Sequence, residues 1–420
     1  MKYETKTILY MNLRSHPVER VEPLKQARKL GLRVVLLADK KPDIDLSLID
    51  DFILSNTYCQ ETVLKDVLKY HEKQPISGVL TWSDKDVELA SYITNQLGLP
   101  GPCASAAKNA RNKYLMRKSW EHVPGLSPKF MSVTSFEELK LAAKKLTFPF
   151  IFKPVGASGS KSILKIESID QLEEAYQQML HSTSPDKDKI YSYFPNEYIA
   201  EEYLDGPEVT VDGLVQHGKV YIAGVTDKHI TPDYSLEYFA QFPSAKPQEV
   251  IHEIEKKAEQ AVKALGLNDS AFHLECRVTT NGVRMIECAA RPGGGYISSN
   301  LIKMATDHSF QAEVIKMAVG ETVCFDQLRD YKRFAGMIIL LPEKEGLITS
   351  IQGVIQALET DCVTTYIPVK QVGDQVKRPP EDFSSYYGVI LGESNDAEKL
   401  ENALFKAKNT ICFTVNKDHV

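Results

Sequence analysis

The sequence predicts a parallel, doubly wound α/β unit at its N-terminal end, followed by an α+β region built on antiparallel sheets. Strand-like and helix-like periods alternate through the first hundred residues. A glycine- and proline-rich break follows, and from Phe150 onward short strands are joined by glycine turns.

Residues 7–12 read as a buried strand, 18–30 as a helix stopped by Gly31, and 33–38 as a second strand. Gly78-Val79-Leu80-Thr81 is another short strand, with a helix over 85–97. The first βα turn, Asn12-Leu13-Arg14-Ser15, carries no G-x-G-x-x-G, so no dinucleotide site is expected there. Leu97-Gly98-Leu99-Pro100-Gly101-Pro102 ends the unit. A basic helix is predicted over 104–121, closed by Pro124 and Pro128. A helix is predicted over 248–265 and a polar loop over 182–189. Beyond residue 320 the strand and helix signals continue without legible chemistry.

With 420 residues the chain is long enough for two to four domains. Its 43% hydrophobic and 25% charged residues are those of an ordinary globular protein. A net charge of −6 gives no field to attract nucleic acid or an anionic membrane, so any anionic ligand must be held by local basic groups. No apolar run approaches the ~20 residues that span a bilayer. The start, Met1-Lys2-Tyr3-Glu4-Thr5-Lys6, lacks the apolar core of a signal peptide. Seven scattered cysteines without a Cys-x-x-Cys pair argue against a disulfide framework, and a reducing cytoplasm is expected.

Phe150-Ile151-Phe152-Lys153-Pro154 is an apolar strand ending in a lysine, followed by Val155-Gly156-Ala157-Ser158-Gly159-Ser160-Lys161-Ser162. Small side chains let backbone N–H groups close on a polyphosphate, and glycine reaches the positive φ such a nest needs. Lys153 supplies a local charge. The loop is not a P-loop, because Ser160 stands where glycine must precede the lysine. A plain flexible hairpin turn is the alternative. A second basic element, Asn112-Lys113-Tyr114-Leu115-Met116-Arg117-Lys118, reads by itself as a solvated helix face.

The most informative stretch joins Phe272-His273-Leu274-Glu275-Cys276-Arg277-Val278 to Val283-Arg284-Met285-Ile286-Glu287-Cys288-Ala289-Ala290-Arg291 through an Asn281-Gly282 turn. A three-residue loop, Thr280-Asn281-Gly282, pairs Thr279 with Val283 and sets Glu275 opposite Glu287. His273, Glu275 and Arg277 then share a face with Met285, Glu287 and Ala289, while Ile286 joins the apolar face. Opposed carboxylates about 5 Å apart need a proton or a shared cation. One or two carboxylates completed by phosphate are how proteins hold Mg²⁺. A two-residue turn would shift the register and put the acids on opposite faces. Arg291 could instead neutralise them in a structural ion pair. Arg291-Pro292-Gly293-Gly294-Gly295-Tyr296 pairs a planar cation with a triple glycine that allows close backbone approach to a ligand.

Together these pieces resemble the ATP-grasp superfamily, most closely its bacterial L-amino-acid ligases, over roughly residues 1–320. The resemblance also rests on Ala110-Arg111-Asn112-Lys113 and Glu201-Glu202-Tyr203-Leu204-Asp205-Gly206-Pro207-Glu208, in the family's order. It implies an N-terminal Rossmann-like domain over 1–103 and a small ATP-grasp subdomain with a phosphate lid over 104–190. A large subdomain with the metal and substrate site would cover 191–320, and an α/β segment over 321–420 would complete the substrate domain. The nucleotide would lie between two antiparallel-sheet subdomains.

By the same resemblance Lys113 and Lys153 grip the α- and β-phosphates, and Ser158, Gly159 and Ser160 belong to the lid. Glu201, Glu202, Tyr203 and Leu204 form the adenine hinge, and Glu208 binds the ribose. Glu275 and Glu287 are the implied metal ligands, and Arg291, with Glu287, is the implied catalytic residue. Ala289 stands where many relatives have a third ligand, asparagine. Glu237 is expected to hold an α-ammonium group, with Arg291, Gly294 and His273 also at the substrate. Ala240 stands where relatives often carry histidine, so no base is assigned.

The implied activity is ATP-dependent joining of two L-amino acids through an acyl phosphate, with ATP as substrate and two Mg²⁺ ions, which Mn²⁺ could replace. Amino acids are the expected partners, with no nucleic acid and no membrane, in a homodimer. A D-amino-acid or nucleotide-precursor ligase and a non-catalytic nucleotide-binding module remain as alternatives. Specificity is expected from residues 83–86, where Asp84 and Asp86 would favour a basic substrate, from the Glu237 loop, and from 298–300.

Overall fold

Thr7–Met11 (β1) is buried along its whole length, as a strand covered on both faces must be. It leads through α1 (Pro17–Lys29) to β2 (Arg33–Ala38), β3 (Asp51–Leu54), α2 (Gln60–His71), β4 (Gly78–Thr81) and α3 (Val87–Leu97). The four strands are parallel, in the order β3-β2-β1-β4. β3 and α2 escaped the sequence reading because β3 is a half-exposed edge strand of only four residues. Strand order reverses at β1, so a crevice opens between the ends of β1 and β4. Asn12, Arg14 and Asp84 lie there. The computed structural model describes residues 5–14 and 17–416. Residues 1–4 and Ser15, on which the leading-segment and first-turn readings partly rest, lie outside them.

The predicted single basic helix is two, α4 (Ala104–Arg111) and α5 (Lys113–Trp120). Asn112 breaks it by taking an extended conformation and capping α5, its side chain accepting from the Tyr114 and Leu115 N–H groups. The next sheet comprises β5 (Phe130–Val133), β6 (Phe150–Pro154), β7 (Leu164–Ile166) and β8 (Tyr198–Glu202), in the order β5-β8-β6-β7. Helices α6 (Phe136–Lys145) and α7 (Leu172–Ser182) cover one face of it.

β9 (Glu208–Gln216), β10 (Lys219–Ile230), β11 (Glu237–Phe242), α8 (Gln248–Leu265), β12 (Ser270–Thr279) and β13 (Gly282–Ala289) follow. α8 buries Ile254, Ala258, Ala261, Val262 and Leu265, an i, i+4, i+7, i+8, i+11 stripe, against these strands. Each large side chain in that stripe contributes roughly 1.5–3 kcal/mol of burial. After α9 (Ile302–Thr306) and α10 (Phe310–Ala318) come β14 (Phe334–Leu340), β15 (Gly346–Gln352), α11 (Val354–Leu358), β16 (Val363–Pro368) and β17 (Gln375–Val376). β18 (Gly388–Ser394), α12 (Ala397–Thr410) and β19 (Cys412–Asn416) end the described chain. β14, β18 and β16 extend the large sheet, whose order is β13-β12-β9-β10-β11-β14-β18-β16. All seven cysteines are free thiols. Among the described residues no helix is long and apolar enough to cross a membrane.

Candidate functional site

A cavity of about 750 Å³ lies between the small sheet and the large one. Its floor is the β12–β13 hairpin. The loop has two residues, Thr280 and Asn281, with Thr279 opposite Gly282, and so differs from the three-residue turn read from the sequence. That register alone would put the two glutamates on opposite faces. A β-bulge corrects it: Cys276 faces Met285, then Glu275 faces Glu287, and Ile286 is the extra residue. The bulge sends Met285 into the core and lets both Ile286 and Glu287 line the cavity. Met285 and Ile286 are therefore on the faces opposite to those predicted, and Glu287 is on the predicted one. Arg117 Nη2 holds the Ile286 carbonyl that the bulge leaves over.

On the small-sheet side, Glu201 lies opposite Ile151, and Lys153, two residues further on, shares that face. Glu201 is buried between Lys153 and Arg117, whose Nη2 is 2.8 Å away. Burial opposes ionisation of Glu201, but Arg117 and Lys153 outweigh it and hold its carboxyl below the usual range. Burial and the neighbouring cations lower Lys153 against the opposing pull of Glu201. Glu201 thus positions Lys153 with its side chain. Lys113 donates to the Ala157 carbonyl at 2.6 Å and to Glu287 Oε1 at 3.0 Å. The solvated-face reading fails for Lys113 and Arg117, both buried, and fits Lys118, which pairs with Glu121 in solvent. Glu202, Tyr203 and Leu204 line the same cavity, with Tyr203 flanked by Lys165 and Arg277.

Sequence reasoning missed Lys228. Its ammonium lies 3.2 Å from Glu208, 3.1 Å from Glu237 and 3.3 Å from Glu275. Burial disfavours its charge, yet the three carboxylates raise its pKa well above the ordinary value. Burial likewise opposes ionisation of Glu275, but Lys228, His273 and Lys113 pull it down to about 2. Burial raises Glu237 in spite of Lys228. Nothing in Thr226-Asp227-Lys228-His229 separates this lysine from any charged residue on an exposed strand. His273 Nδ1 pairs with buried Asp212 at 3.0 Å, which turns Nε2 toward Glu275, 3.9 Å away.

Arg291 reaches back across the chain to Asp84, at 2.5 Å. Burial opposes both charges, but the pairing raises Arg291 and holds Asp84 at about 2. Asp86 is fully buried with Lys85 and Asn12. Both acids are therefore paired within the protein, Asp84 with Arg291 and Asp86 with Lys85. Arg291 pairs with Asp84 and not with the two glutamates. The triple glycine admits the protein's own charged groups. A Cβ on Gly293 would lie 2.5 Å from Asp212, one on Gly294 2.9 Å from Arg14, and one on Gly295 2.6 Å from Glu237. Gly294 is not among the residues lining the cavity. Ser298 and Ser299 are buried, and Ser298 supports the glycine turn from behind by donating to the Gly293 carbonyl.

Ser158, Gly159 and Ser160 line the cavity in the loop between β6 and β7, with Gly159, Ser160 and Ser162 at positive φ. Ser160 donates to the Ser235 carbonyl at 3.1 Å, so the loop reaches across the cavity mouth. Gly156 packs under the Phe194 ring, 2.2 Å from where a Cβ would sit.

Two family models match this chain: an ATP-grasp domain over residues 146–300, and an ATP-grasp N-terminal domain over 24–101. The chain is an ATP-grasp protein. Its architecture is the ATP-grasp fold, with antiparallel sheets and the N-terminal domain. The L-amino acid ligase from Bacillus licheniformis superposes with a TM-score of 0.84 at 21% identity, covering 98% of this chain and 99% of that one. The L-arginine-specific L-amino acid ligase of Bacillus subtilis is 24% identical over 86% of this chain and 85% of its own. Alanine–anticapsin ligase of Bacillus amyloliquefaciens is 23% identical over 64% of this chain, which spans 59% of that protein's length.

Among the described residues, no group of three or more His, Cys, Asp and Glu is placed to hold a metal ion. Glu275 and Glu287, opposite each other in the hairpin and both lining the cavity, each beside a lysine, fit Mg²⁺, which dehydrates reluctantly and takes one or two protein carboxylates plus phosphate.

Proposed function

We propose that this ATP-grasp protein is an ATP-dependent carboxylate–amine ligase that joins two L-amino acids and releases ADP and phosphate. The observation that carries the reading is the convergence of Lys113, Lys153, Glu275, Glu287 and Arg291 on one cavity. Two cations for polyphosphate, two acids for a divalent ion and one planar cation are what phosphoryl transfer to a carboxylate requires.

In this reading the carboxylate oxygen of one amino acid attacks the γ-phosphorus of ATP, and the bond to the β–γ bridging oxygen breaks to release ADP. The amine of the second amino acid attacks the acyl carbon, phosphate leaves, and the nitrogen gives up a proton. Lys153, fixed by Glu201, and Lys113, fixed by the Ala157 carbonyl, hold the phosphates. Glu275 and Glu287 would hold Mg²⁺, or Mn²⁺ in its place, which supplies charge neutralisation on the phosphate oxygens. Arg291, aimed by Asp84, neutralises charge on the acyl phosphate. The 155–162 loop, latched on Ser235, keeps water from the intermediate.

A screen of amino-acid pairs, read by phosphate release and by the mass of the product, tests this. At least one pair must give the dipeptide with stoichiometric ADP. ADP release only with a non-amino-acid carboxylate would move the protein to another ATP-grasp reaction. Nucleotide binding without turnover would make it a non-catalytic module.

A further inference from the structure

The cavity lining is not polar throughout. It includes Tyr234, Leu236, Ile339, Leu341, Phe383 and Tyr386. Four of these six come from the part of the chain beyond residue 320, which brings no charged side chain to the cavity. Ile339 and Tyr386 pack against the core shared by the N-terminal unit and the large sheet, so their positions are fixed. Tyr386 is hydrogen-bonded to Tyr296, next to the Gly295 that Glu237 packs against. The wall therefore stands beside Glu237. Phe383 meets Tyr234 edge-on, with ring centroids 5.9 Å apart, closing the wall against the segment that latches the 155–162 loop. Asp233, the acid nearest on that segment, is exposed and accepts from the Tyr234 N–H.

From this arrangement we infer that the recess formed by Ile339, Leu341, Phe383 and Tyr386 binds the side chain of one substrate amino acid, and that this side chain is large and apolar. The inference rests on the ligase reading and names its substrate class. A charged side chain packed against these four residues would lose water, and none of the four offers it an ionic partner. An apolar one would exchange water for aliphatic and aromatic contacts.

Calorimetric titration of the full chain with L-leucine, L-arginine and L-glutamate, each with MgADP present, tests the recess without turnover. L-Leucine is expected to bind at least about tenfold more tightly than either charged amino acid. Phe383→Ala should weaken L-leucine roughly tenfold, and ADP affinity serves as the control for a folded site. Phe383→Glu should weaken L-leucine further and narrow the gap to L-arginine. Equal binding of charged amino acids, no amino-acid binding at all, or unchanged L-leucine affinity in Phe383→Ala would overturn the inference. Selective L-leucine binding with no active pair in the turnover screen would sink the ligase reading and leave the recess standing. Turnover confined to charged amino acids would do the reverse.

Discussion

Arg117 holds the carbonyl of Ile286, the one residue of β13 left without a partner opposite it. The same guanidinium pairs with Glu201, and Glu201 with Lys153. One fully buried arginine thus fixes both the cavity-lining Lys153, through Glu201, and the bulge that turns Glu287 into the cavity. Arg117→Met leaves Glu201 short of one buried partner and the bulge carbonyl unsatisfied. The expected cost is about 3–5 kcal/mol of stability. ATP affinity should fall at least about tenfold. Urea unfolding and nucleotide titration check the two effects separately.

The Arg291–Asp84 pair makes stability depend on acid. Asp84 titrates at about 2 in the folded protein, against an ordinary 3.8. Its contribution, about 2 kcal/mol, is therefore complete above pH ~4 and lost as the pH falls from there to ~2. Asp84→Asn should unfold at lower temperature than the parent at pH 7, and the gap should close toward pH 2. A gap that stays constant across this range would show that the pair is not the source.

Lys228 carries the charge balance of Glu208, Glu237 and Glu275. Replacing it with methionine strands those carboxylates with less compensation, and a loss of about 3 kcal/mol or more is expected near neutral pH. Without the lysine the folded pKa values of Glu237 and Glu275 rise, so the penalty grows as the pH climbs through them. Urea midpoints for Lys228→Met should fall further below the parent at pH 8 than at pH 5.

Much of this was legible in the sequence, and the rest was hidden for physical reasons. Alternation and glycine punctuation located the β12–β13 hairpin and α8, because burial of one face imposes a period. The Glu275–Glu287 pairing was anticipated, but through the wrong turn: a two-residue loop and a bulge shift the register twice and restore it. A bulge leaves no mark in a single sequence when the extra residue is an ordinary isoleucine. Partners far apart in sequence were equally invisible. Asp84 and Arg291 are 207 positions apart, and Lys113 and Glu287 are 174 apart. The apolar part of the cavity lining was missed because hydrophobic residues lining a recess look like core.

Gly295 has φ +58° and stands where a Cβ would lie 2.6 Å from Glu237 Oε1. Gly295→Ala should displace Glu237, the proposed partner of a substrate α-ammonium group, and raise the KM for that amino acid roughly tenfold, with the KM for ATP unchanged. Steady-state ADP release with each substrate varied in turn separates these terms. Equal changes in both constants would place the effect elsewhere.

The account depends most on a divalent ion shared by Glu275 and Glu287 beneath the nucleotide phosphates. Anomalous diffraction from crystals grown with ADP and Mn²⁺ locates that ion directly. A manganese peak within coordination distance of both carboxylates is the predicted result. Bound ADP with the metal held elsewhere, or with neither glutamate in contact with it, would contradict the assignment.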